Sequence, residues 1–119
     1  MTITMNDYQA AAVATASPNI DATYLAAKLM IEAAEAAQPI IKRNYHGAGL
    51  DFTALTEELG DVLWYVAALA HAYNLPLDRI AELNLSKLAS RHGAAYNQAH
   101  YTGPEPTDSV SAGSPTTQR

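Results

Sequence analysis

The stretch Thr56-Glu57-Glu58-Leu59-Gly60-Asp61-Val62-Leu63-Trp64-Tyr65 constrains this chain more than any other. At 3.6 residues per turn, Glu58, Asp61 and Tyr65 fall at i, i+3 and i+7 and share one face of a helix. Leu55, Val62 and Leu69 lie beside that face, so a helix that packs them inward carries two carboxylates with it. Desolvating carboxylates in an apolar stripe is unfavourable unless a positive charge joins them. Glu32-Ala33-Ala34-Glu35 repeats the three-residue spacing. Two acidic pairs on two helices point to one shared cation site, although solvated helix-surface carboxylates show the same spacing.

The elements around these pairs are helical throughout. Alanine is abundant and strand-forming runs of Val, Ile and Thr are few, which makes the class all-α. The pattern predicts a short helix from Met5 to about Ala16, broken by Ser17-Pro18-Asn19. A long helix from about Asp21 to Tyr45 carries Leu25, Leu29, Glu32 and Ala36 as one stripe. Lys28, Glu32, Glu35, Pro39 and Lys42 form a second stripe beside it. Pro39 has no N–H to give the Glu35 carbonyl and crowds it, which predicts a kink rather than an end near Gln38. His46-Gly47-Ala48-Gly49 reads as a loop, and Asp51 as the N-cap of a helix reaching about Tyr73. Gly60 sits inside that helix, where a glycine often marks close approach of a backbone or ligand. After the turn Asn74-Leu75-Pro76, the last firm helix runs from about Leu77 to Arg91 and aligns Asn84, Lys87 and Arg91 on one face.

The 119 residues argue for one domain. The expected architecture is an all-α bundle of three main helices plus a short N-terminal helix, spanning residues 1–101. So few residues supply a small core, which predicts completion by oligomerisation. The Ser/Thr/Pro/Gly-rich residues 102–119 have too little to bury and are expected to be a disordered tail. A net charge of −5 argues against a nucleic-acid polymer as partner. It leaves nucleotides open, because a metal can meet their charge. Without cysteine there is no disulfide framework or thiolate chemistry. No apolar run approaches a membrane span and no signal-peptide pattern opens the chain, so a soluble, cytoplasmic protein is expected, with no membrane partner.

Glu32, Glu35, Glu58 and Asp61 are hard oxygen donors, suited to Mg²⁺ or Mn²⁺. A di-iron bundle is disfavoured, because no Glu is followed by His three residues on. Lys28, Lys42, Asn84, Lys87 and Arg91 are candidates for gripping phosphate oxygens, or long side chains that reach solvent. Trp64 and Tyr65 suit stacking on a base or packing in the core. His46, His71, His92 and His100 have no metal-ligand spacing and read as loop or surface residues. There is no phosphate-cradling glycine loop.

The string Glu57-Glu58-Leu59-Gly60-Asp61-Val62-Leu63-Trp64-Tyr65-Val66, with Glu32-Ala33-Ala34-Glu35 before it and Asn84-Leu85-Ser86-Lys87-Leu88 after it, resembles the MazG-like nucleotide pyrophosphohydrolases. The likeness covers roughly Met5 to Arg91 and departs from many relatives at Ile31 and Ala34, where they carry glycines, and at Pro39. It implies an all-α enzyme that cleaves a nucleoside triphosphate to monophosphate and pyrophosphate with Mg²⁺. It also implies a homodimer or homotetramer. Glu32, Glu35, Glu58 and Asp61 would be the metal-binding acids, and Lys87 and Asn84 the phosphate contacts. Lys42 matches a basic residue after the first pair, and Tyr65 an aromatic near the base. Glu35 and Glu58 are the expected catalytic carboxylates, Glu35 activating water, with Arg91 assisting at the phosphates. The alternatives are a dUTPase-like or phosphoribosyl-ATP pyrophosphohydrolase activity, or a non-catalytic helical interaction module with a vestigial metal site.

Overall fold

A computed structural model describes residues 2–47 and 49–92, apart from the His46 side chain. These residues are all-α and form four helices: α1 (Met5–Val13), α2 (Ala22–His46), α3 (Phe52–Ala72) and α4 (Leu77–His92). The expected tail, residues 102–119, and the stretch from Ala94 lie outside the described residues, as does His100. The chain divides into two compact units, Met1–Leu83 and Asn84–Arg119. The described part of the second is the C-terminal portion of α4.

Local chemistry sets the helix ends. Thr4 and Asp7 form a reciprocal capping box at α1, with Asp7 N–H donating to Thr4 Oγ1 at 3.0 Å and Thr4 N–H to Asp7 Oδ2 at 3.2 Å. Asp21 caps α2 by accepting from Tyr24 N–H at 2.8 Å. Asp51 caps α3 as its sequence position predicts, accepting from Thr53 and Ala54 N–H at 2.9 and 3.1 Å. Helix α2 ends at Gly47, whose φ of 71° lies in the left-handed region that favours glycine. His46 is therefore the last helical residue rather than part of the loop, because the glycine after it supplies the stop. Helix α2 runs through Pro39 without ending near Gln38.

The core of the first unit is small and rich in alanine. Ala12, Ala67, Ala70 and Leu77 form one buried cluster, with Tyr8, Trp64 and Val66 packed against it. Leu25, Ala36 and Ala68 are also buried. Helix α3 packs on α2 along one side and on α1 along another. Polar side chains fasten α1. The buried Gln9 donates through Nε2 to the carbonyls of Ala67 and Leu75 at 3.1 and 3.0 Å. Its Oε1 accepts from Leu77 N–H at 3.1 Å. Asn6 and Asp78 exchange backbone-to-side-chain bonds at 2.9 and 3.1 Å. The Trp64 indole N–H donates to Ala12 O at 3.1 Å and Thr15 Oγ1 at 3.0 Å.

Candidate metal centre

The stripe Leu25, Leu29, Glu32 and Ala36 faces inward as its periodicity predicts. Leu25 and Ala36 are buried, and Glu32 is buried with them at 8 % exposure. Glu35 follows one turn on and is exposed. Glu58 comes from the second turn of α3 and is partly buried. One carboxylate oxygen from each of Glu32, Glu35 and Glu58 lies within 4.8 Å of the others. Oxygens sharing an octahedral Mg²⁺ at about 2.0–2.1 Å stand roughly 3–4 Å apart, near the spacing of this triad, so the three carboxylates are candidates to hold one such ion. Three hard oxygen donors and no nitrogen or sulfur match that class of cation.

Asp61, expected as the fourth acid, stands one turn beyond Glu58 and outside this triad. It lines an adjoining depression with Glu32, Trp64 and Tyr65. The Trp64 and Tyr65 rings meet edge to face, their centroids 4.8 Å apart. On the other side of the triad, Glu35 and Lys42 line a second depression with Gln38, Pro39, Gly49 and Asp51. The groove between α2 and α3 is therefore acidic at its centre, aromatic at one end and carries Lys42 at the other.

Electrostatics follow from this crowding. Burial, then the charges of Glu35, Asp61, Glu32 and Glu57, push the Glu58 carboxyl above its ordinary value of 4.5. Burial is also the first cause that raises the Tyr65 phenol, with Tyr24 adding to it and Lys28 opposing. The Lys28 Nζ lies 3.3 Å from Glu32 Oε2 and 5.9 Å from the centre of the Tyr65 ring. Its bond to Glu32 holds the ammonium above its ordinary range.

Residues 21–95, more than half of the chain, match the model of the MazG nucleotide pyrophosphohydrolase domain. The chain belongs to this family. A relative, Gene 37 protein of Mycobacterium phage L5, is 51% identical over 37 residues, which is 31% of this chain and 32% of the relative. The match thus spans about a third of that relative's length. No solved structure matches the chain. The MazG match includes all four acids, Lys42, Tyr65, Asn84, Lys87 and Arg91, and begins after α1. Asn84, Lys87 and Arg91 are exposed on α4, within the second compact unit. What sequence reasoning did not reach in this MazG domain is the pairing of Lys28 with Glu32. The i, i+4 spacing is its only signal, and a lysine so placed serves a surface pair equally well.

Proposed function

We propose that this chain is a Mg²⁺-dependent nucleoside triphosphate pyrophosphohydrolase, with Mn²⁺ an acceptable substitute, releasing nucleoside monophosphate and pyrophosphate. The observation that carries the reading is the convergence of Glu32, Glu35 and Glu58 from two helices within a MazG domain. These carboxylates would hold the cation, with Asp61 beside them. When bound, the metal neutralises triphosphate charge and stabilises the departing pyrophosphate. Glu35, exposed at the mouth of the triad, orients and deprotonates the water that attacks the α-phosphorus, assisted by Glu58. Lys42 contacts phosphate oxygens from the other end of the groove, and Tyr65 borders the base. Asn84 and Lys87 are assigned further phosphate contacts on the family motif they match, and Arg91, one turn beyond Lys87, is assigned a charge-assisted one. A homodimer or homotetramer is supported by the large apolar side chains left exposed, Met30 and Phe52 at 71 % each among them.

The test is pyrophosphate release from a panel of canonical and modified nucleotides, with Mg²⁺ and with chelator. Glu58→Gln and Asp61→Asn are expected to keep the helical circular dichroism of the parent and to lose Mg²⁺-dependent turnover by at least about a hundredfold. Undiminished turnover in a folded variant would remove the assignment.

A further inference from the structure

Glu32 is the buried member of the acidic triad, and a buried carboxylate needs a partner. Among the described residues, the ion pair made to the triad comes from Lys28, at 3.3 Å. Lys28 is itself only 30% exposed at its side chain, and its ammonium lies toward the Tyr65 ring that lines the same depression as Glu32. This is not the arrangement of a surface pair. The acid sits inward, the lysine leads it in sequence, which is the weaker order for an i, i+4 pair, and an aromatic face backs the cation.

Resting on the reading of the triad as a divalent-cation site, we propose that Lys28 is the site's internal counter-ion, competing with the metal for Glu32 and so setting the affinity for it. In the metal-free chain its charge offsets the repulsion among Glu32, Glu35 and Glu58. A divalent cation that takes Glu32 must displace the ammonium and then tolerate a positive charge a few ångströms away. The consequence is a site tuned to bind metal weakly until further negative charge, such as a polyphosphate, arrives and relieves that repulsion. Removing the lysine therefore tightens metal binding. A residue needed merely to shape the site would do the opposite.

The experiment is calorimetric titration of the full chain with Mn²⁺ alone, for the parent and for Lys28→Gln, Lys28→Met and Lys28→Arg. Gln and Met are expected to bind Mn²⁺ about tenfold more tightly, the effect of one unit charge near a divalent ion even at high dielectric. Arg keeps the charge and is expected to stay within about twofold of the parent. Thermal melts supply a second readout. The Gln and Met variants melt below the parent without metal, and the gap closes at saturating Mn²⁺. Equal or weaker Mn²⁺ binding by both neutral variants overturns the inference and leaves the site reading standing. So does an Arg variant that behaves like Gln. No Mn²⁺ binding by any of the four proteins overturns the site reading and this inference with it.

Discussion

Two side chains show how much single residues decide. Glu58 titrates above 4.5 in the metal-free fold, so between that value and its raised one the native state holds more proton than the unfolded chain. Stability from this group is then greatest on the acid side and declines as pH rises through the window. Mg²⁺ favours the ionised carboxylates and reverses the trend. Melting curves from mildly acidic to neutral pH are expected to show a metal increment that grows with pH. It reaches about 2.7 kcal/mol at a hundred times the dissociation constant and is lost in Glu58→Gln. A pH-independent increment, or one that survives the substitution, would separate the metal from this cluster. Gln9 makes the opposite kind of contribution, with no charge involved. Its amide satisfies the carbonyls of Ala67 and Leu75 and the N–H of Leu77 from one buried position. Gln9→Ala strands these groups, and chemical denaturation is expected to show a loss of about 2–4 kcal/mol. A loss below about 0.5 kcal/mol would mean that water replaces the amide.

At the scale of elements, what the sequence made legible and what it did not divide along physical lines. The Asp51 cap was readable because its side-chain oxygen acts on N–H groups two and three residues away. The two acid pairs were readable because helical period alone puts Glu32 and Glu35, and Glu58 and Asp61, on one face each, and the apolar stripe of α2 carries Glu32 inward with Leu25 and Ala36. The separation of Asp61 from the three converging glutamates was not, since it depends on how α2 and α3 sit against each other. Gly60 was a plausible point of close approach, but a Cβ there would meet nothing within 4 Å in this chain. The docking of α1 was not readable either. Gln9 looks like a surface residue until the turn after α3 brings Leu75 and Leu77 to it, from more than sixty residues away in sequence. Long-range polar contacts of this kind leave no periodic signal.

The whole molecule leaves apolar surface uncovered, and the lengths of its helices say where. Helix α1 is about 13 Å long against about 31 Å for α3. It covers Ala67 and Ala70, and the same stripe continues toward the N-terminus of α3 as Phe52, Leu59 and Leu63, which are 71, 53 and 40 % exposed. On α2, Met30, Ile41 and Tyr45 are exposed as well. Light scattering is expected to report a dimer or tetramer, and Leu59→Glu to shift it toward monomer. Monomer alone in the parent at working concentration would count against assembly through this stripe. The bond from the Trp64 indole to α1 has a different kind of consequence. The chain contains one tryptophan, its N–H is held by Ala12 and Thr15, and its ring borders the depression shared by Glu32 and Asp61. The protein thus carries its own fluorophore at the junction of leading helix and acidic groove. Its emission colour registers whether that helix is seated, and its intensity registers what enters beside the acids, without any label being attached.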